Sequence, residues 1–190
     1  MKKVKYLLLP IVGFLFSCGN DDAMQPILPE EDFSTDLFFS EYVEGTSFNK
    51  ALEIVNLTGR IIDLNAASYS IKKQANGAGE WTGEFLLTGS LPHRTVYVIG
   101  NENAELPEII NNSNLLKAGS PLDFNGNDPI GLFKDGVLID IIGNFNDPED
   151  FGKDLTLRRK FEDTEPTTIF NAANWETYEL NNVEDLGEYY

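Results

Sequence analysis

Few residues in this chain are of a type that could do chemistry. It has one histidine, His93, in the turn Leu91-Pro92-His93-Arg94, and one cysteine, Cys18. A Ser-His-Asp arrangement could draw only on His93, which reads as a surface-loop side chain. One His and one Cys leave no ligand cluster for zinc. Oxygen ligands are better supplied. Asp123, Asn125, Asn127 and Asp128 bring side-chain oxygens together in one short loop, as calcium prefers. The EF-hand pattern fails there, because its sixth position would be Asp128 rather than Gly and its twelfth Lys134 rather than Glu. Asn and Asp in such loops more commonly bond their own backbone. The remaining carboxylates are too numerous to pair as catalytic acid and base. Glu41 and Glu53 fall on neighbouring predicted strands, and ion pairing with Lys50 or Arg60 is the structural expectation for them. Arg158-Arg159-Lys160 is the one basic run. It could grip an anionic head group or a glycan acid, or be balanced by its neighbours Glu162 and Asp163.

The whole composition narrows the function classes. The 190 residues carry 31 acidic side chains against 14 basic ones, a formal net charge of -17. Binding nucleic acid requires neutralising phosphates, so this charge opposes it. Hydrophobic residues make up 42% and aromatics 12%, enough for a globular domain with a core rather than a disordered chain. With a single cysteine, no intrachain disulfide can form, and stability must come from packing.

The elements that must position any site are strands. The run 122–143 predicts a β-hairpin. Ile130, Leu132 and Phe133 lead into Lys134-Asp135-Gly136, and 137–142 returns the chain. Asp-Gly between apolar runs is a strong hairpin signal, and Gly136 is expected at positive φ. Only Asp140 interrupts the return run, so most of it is expected to be buried. Residues 37–43, 51–57, 61–64, 69–72, 84–87 and 95–99 read as further strands, with Leu52 and Ile54 on one face and Glu53 on the other. Residues 100–121 have room for one short helix. Residues 155–160 resume strand character, and 175–180 closes the sheet. Short strands separated by Gly, Asn and Pro turns, almost without helix, predict an all-β sandwich.

The N-terminus reads as a targeting segment. Lys2, Lys3 and Lys5 are followed by an apolar run, 6–16, shorter than the roughly 20 residues that span a bilayer. Leu15-Phe16-Ser17-Cys18 then resembles a bacterial lipobox, with Cys18 as the residue to be lipidated. Gly19-Asn20-Asp21-Asp22 resembles the export signal of Bacteroidetes surface lipoproteins. Residues 1–17 are thus expected to be a lipoprotein signal peptide and 18–35 an acidic, flexible tether. The expected sandwich covers 36–180, and 181–190 reads as an acidic tail.

Three further regions carry a family resemblance. Leu37-Phe38-Phe39-Ser40-Glu41-Tyr42-Val43-Glu44-Gly45, then Asn49-Lys50-Ala51-Leu52-Glu53-Ile54-Val55-Asn56, is similar to the opening of bacterial lamin tail domains. Phe124-Asn125-Gly126-Asn127-Asp128, the run to Phe133, and Leu138-Ile139-Asp140 look like that family's second motif. Leu155-Thr156-Leu157-Arg158-Arg159-Lys160 and Trp175-Glu176 resemble its end. The resemblance implies an immunoglobulin-like β-sandwich and a tethering or binding role, often beside a hydrolase domain that is not present in this sequence. The expected function is therefore a lipid-anchored module of the outer membrane, displayed at the cell surface. It would be non-catalytic and cofactor-free, and would hold an envelope protein or glycan through loops such as 100–121 and 144–153. The alternative is a calcium-assisted secreted hydrolase using the acidic loop 123–128.

Overall fold

The computed structural model describes residues 33–189. The signal segment, Cys18 and the tether up to residue 32 lie outside the described residues. The span Asp32–Tyr190 forms a compact unit.

Among the described residues the chain runs β1 (Phe38–Glu44), β2 (Lys50–Asn56), β3 (Ile62–Asp63), β4 (Ser70–Lys73), β5 (Thr82–Leu86), β6 (Ser90–Leu91), β7 (Thr95–Gly100), α1 (Pro107–Asn112), β8 (Leu115–Leu116), β9 (Ile130–Lys134), β10 (Val137–Ile142), β11 (Thr156–Arg159) and β12 (Trp175–Tyr178). One sheet has the order β12-β11-β1-β2-β7-β8, a second the order β10-β9-β4-β5, and β3 pairs with β6 as a small ribbon. The fold is all-β, as the turn-punctuated sequence predicts. The two large sheets face each other across one core. Phe39, Tyr42, Leu52, Ile54, Tyr97, Ile99 and Leu157 from the first, with Leu37 just before β1, meet Ile71, Ile130, Leu132 and Ile142 from the second. Alternation sends every second side chain of a strand to this core.

The hairpin forms where its sequence predicts. Lys134 pairs with Val137 across a two-residue turn, and Asp135 and Gly136 have φ of 49° and 78°. Two consecutive left-handed residues make the turn whose twist matches paired strands, which is why Asp-Gly suits it. The return strand differs from expectation. Val137 is exposed, Leu138 and Ile139 are half-buried, and Asp140, the polar break, is fully buried. A register shift between Leu138 and Asp140 turns Asp140 into the molecule.

Asp140 is buried because it has partners. It accepts from Arg159 Nη2 at 3.0 Å, from the Phe39 N–H at 2.8 Å and from the Thr167 N–H at 2.8 Å. Arg159 lies between the rings of Phe38 and Trp175, each 5.0 Å away, and Nη1 donates to the Glu165 carbonyl. The pair joins β10 of one sheet to β11 of the other. Arg158 and Arg159 of the basic run are thus balanced by residues distant in sequence rather than by Glu162 and Asp163.

The C-terminus also departs from expectation. Residues 181–189 are not a free acidic tail. Val183 and Leu186 are buried with Val43, Ala51, Val98 and Ile109, on the outer face of the six-stranded sheet. Asn112 donates to the Leu186 carbonyl, and Thr156 to the Asn182 carbonyl. At the other end the fold starts slightly before residue 36, since Ser34 is buried and its N–H bonds to Leu57. The predicted short helix is α1. It supplies Ile109 to the outer cluster, and the small parallel strand β8 follows it.

Asp140→Ala should destabilise the fold by about 3–5 kcal/mol, because it leaves Arg159 charged and buried without a counter-ion. Replacing both by leucine should recover most of that loss. Urea denaturation decides this, and a loss under about 1 kcal/mol for the single variant would mean the cross-link is dispensable.

Candidate functional site

The strongest constellation lies on the outer face of the six-stranded sheet. Register places Glu176 opposite Arg158, Arg158 opposite Glu41, and Glu41 opposite Glu53. Adjacent strands are about 4.8 Å apart, so these four side chains form one row. The register shift in β1 between Phe39 and Glu41 makes the row possible. It lets Phe39 and Tyr42 both face the core while Glu41 turns outward beside Glu53. Like charges directly opposite each other are unfavourable. Both carboxyls are also covered, with 2% and 1% of their surface exposed.

Their partners are unequal. Arg158 Nε lies 3.3 Å from Glu41 Oε2, though its N–H is not aligned for a hydrogen bond. Arg158 also meets Asp185 at 2.8 Å, donates to Asn182, and lies 4.2 Å from the Tyr178 ring centre. Glu53 accepts from Ser40 Oγ and from the Gly187 N–H, each at 2.7 Å. Among the described residues, Glu41 Oε1 has no hydrogen-bond partner, and neither does the buried Tyr189 hydroxyl. An unmade hydrogen bond at a buried group costs roughly 1–3 kcal/mol. Both residues line a recess of about 230 Å³, together with Phe161, Lys160, Glu162 and Glu188. The C-terminal segment forms its rim.

Burial pushes the Glu41 carboxyl up to about 8, against the pull of Arg158 and with the help of Glu53. Burial likewise raises Glu53 to about 7, against the hydrogen bonds from Ser40 and Gly187. Burial also raises the Tyr189 hydroxyl. The pair therefore holds protons at neutral pH, where an exposed glutamate holds none.

The structure distributes the other sequence candidates differently. In the loop 123–128, Lys73 Nζ sits 2.7 Å from Asp123 Oδ1 and 3.3 Å from Asp128 Oδ2. Asp128 also accepts from the Asn76 N–H, Asn127 donates to the Pro148 carbonyl, and Asn125 is exposed. The two carboxylates come together, but on an amine; a calcium ion held by both would have to displace Lys73. Among the described residues, no group of three or more His, Cys, Asp or Glu side chains is placed to hold a metal ion. His93 Nδ1 accepts from the Gly59 N–H, and its ring packs edge-on against Phe33. Lys50, expected as a partner of Glu41 or Glu53, pairs with Glu44, while Glu41 pairs with Arg158. The loops 100–121 and 144–153 are tied down, through Asn101 to the Leu122 carbonyl and through Asn146 to Gln74.

Sequence reasoning missed Tyr189, Asp185 and Gly187, which it assigned to the tail. The available signal was Val183 and Leu186, two aliphatic residues three apart in an otherwise acidic stretch. A second surface lies on the outer face of the four-stranded sheet. Trp81 stacks on Phe145 at 4.9 Å and meets Phe133 edge-on at 5.3 Å. They gather over Gly131, where an added Cβ would lie 2.7 Å from Phe133 and Leu138 atoms.

No family model and no curated protein matches the chain.

The buried pair sets a pH dependence. Unfolded, both glutamates titrate near 4.5; folded, near 8 and 7. Between those limits the folded state binds more protons, so stability is greatest at the acidic end and falls as pH rises through 7 and 8. Asp140, raised by burial to about 6, acts in the same direction. The melting temperature should be lower at pH 8.5 than at pH 5.5, and Glu41→Gln should flatten the difference. A melting temperature that rises over this range would contradict the assignment.

Proposed function

We propose that this chain is a lipid-anchored binding or scaffolding module of the cell envelope. It is held at the outer membrane through Cys18, displayed at the surface, and has no catalytic activity of its own. The immunoglobulin-like sandwich of lamin tail domains is the fold proposed for it, and the all-β architecture agrees with that resemblance. One observation carries the binding role. The recess over Glu41 keeps a buried carboxyl oxygen without a partner, and a binding site does this when its ligand supplies the missing group. Several other buried carboxylates are used in cross-links: Asp140 to Arg159, Asp128 to Lys73 and Glu44 to Lys50.

A second reading has its own support. Two carboxyls with pKa values pushed upward in a recess are the equipment of general acid-base catalysis. A hydrolase would then use Glu41 and Glu53. The calcium-assisted version on 123–128 would first have to release Lys73.

Two measurements test the proposal. Labelling with a clickable fatty acid should mark the protein, and Cys18→Ala should lose the label and leave the membrane fraction. Equal labelling of the variant would remove the anchor. A hydrolase screen over ester, peptide, glycoside, phosphoester and nucleic-acid substrates should show no turnover, while a pull-down from native envelope should recover a partner. Turnover abolished by Glu53→Gln would establish the enzyme instead.

A further inference from the structure

We propose that the recess between the six-stranded sheet and the C-terminal segment is a binding site for a primary ammonium group, with Glu41 Oε1 as its main acceptor and Tyr189 at its rim. This rests on the binding-module reading and names the chemistry of the ligand.

Four observations converge. The first is the two acceptors among the four unpartnered buried polar atoms of the recess, Glu41 Oε1 and the Tyr189 hydroxyl; the other two are the Nε–H groups of Arg158 and Arg159, and Arg158 Nε already lies 3.3 Å from Glu41 Oε2. A carboxyl oxygen asks for a donor, and an ammonium carries three. The second is charge. Six acids line the recess against three bases. Of the bases, Arg159 is held by Asp140 on the core side, and Arg158 divides itself between Glu41 and Asp185. Glu53 is held only by neutral donors, Ser40 and the Gly187 N–H. One further cation would therefore complete the row. The third is the walls. Tyr178 already carries the Arg158 guanidinium on its ring, and Phe161 stacks with Tyr189 at 6.2 Å. Aromatic faces suit organic cations. The fourth is size. A recess of about 230 Å³ takes an aminoalkyl chain, and its carboxyls are not grouped as metal ligands.

The proton and the ammonium compete for the same oxygen. The Glu41–Glu53 pair meets its charge problem by holding protons. An ammonium entering the recess takes over that role and releases a proton to solvent. The facing groups set the sign. Glu53 from β2, Glu162 after β11, Glu176 from β12, and Asp185 and Glu188 from the C-terminal segment favour a cation; Arg158 and Arg159 from β11 and Lys160 after them oppose one. Binding therefore strengthens as pH rises toward 8. The ligand can be a free aliphatic amine or a lysine side chain of an envelope protein.

Isothermal titration of the full chain at pH 8 tests this, with 1,4-diaminobutane for the free amine and a lysine-containing peptide for the protein source. Matched sodium chloride serves as the control for bulk charge. Saturable one-to-one binding is expected from at least one probe. It should be weaker by tenfold or more at pH 5.5, with a heat that depends on the ionisation enthalpy of the buffer. Glu41→Gln should weaken it by tenfold or more. Tyr189→Phe, which removes only the hydroxyl, should weaken it a few-fold and keeps the test valid if the Glu41 variant unfolds. The probe that binds identifies the source. Heats matched by sodium chloride, no saturation with either probe, or affinity unchanged in both variants would overturn the assignment. An envelope partner recovered by pull-down alongside such a failure would remove the ammonium site and leave the binding-module reading intact.

Discussion

The buried ion pair between Asp140 and Arg159 is the contact on which the rest of the molecule depends. It ties one sheet to the other through two side chains with almost no solvent exposure, 0% and 1%. Burying two charges costs several kcal/mol each, and their attraction roughly repays it only when every remaining donor and acceptor is served. Here that condition is largely met, by the Phe39 and Thr167 N–H groups on one side and the Glu165 carbonyl and two aromatic rings on the other. The contribution is one of placement more than of net stability. Phe39 lies beyond the last paired residues of β1 and β11, and Asp140 receives the N–H that the partner strand does not. The bulge that follows sends Glu41 outward. The pocket on the outer face thus inherits its geometry from a cross-link in the interior.

The outer face of the six-stranded sheet would be solvated in a simple sandwich. In this chain α1 and the C-terminal segment cover it, with Ile109, Val183 and Leu186 packed onto Val43, Ala51 and Val98. That second layer is what buries Glu41 and Glu53. Without it the two glutamates would be an ordinary exposed pair, screened by water and fully ionised. With it, their repulsion and desolvation have to be met by protons, by Arg158 and by any cation the recess admits. The segment that creates the problem also donates to it, through the Gly187 N–H and the Asp185 contact with Arg158.

Much of the fold was legible in the sequence because its signals are local. Asp135-Gly136 dictates a turn from two residues, and the alternation of Leu52, Glu53 and Ile54 dictates which side faces the core. The candidate site was legible only in its parts. Glu41 and Glu53 stand out on neighbouring strands, but their direct opposition depends on a one-residue register shift that no local pattern announces. Asp140 read as a flaw in an apolar run because its partners are at positions 39, 159 and 167. The tail read as solvent-exposed because its acids outnumber Val183 and Leu186, although two aliphatic side chains suffice once a hydrophobic face awaits them. The acidic loop 123–128 looked like a cation site because Lys73, which holds it, is far away in sequence.

Two opposed, buried glutamates share one recess, which we hold to be suited to an ammonium group. Carbon-13 NMR of the side-chain carboxyls, labelled in glutamate and followed across pH with and without 1,4-diaminobutane, reads that claim at the atoms concerned. Two carboxyl signals should titrate well above the usual glutamate range without the diamine, and should shift to lower pH when it is present. Signals for Glu41 and Glu53 that titrate near 4.5 and ignore the diamine would contradict that claim.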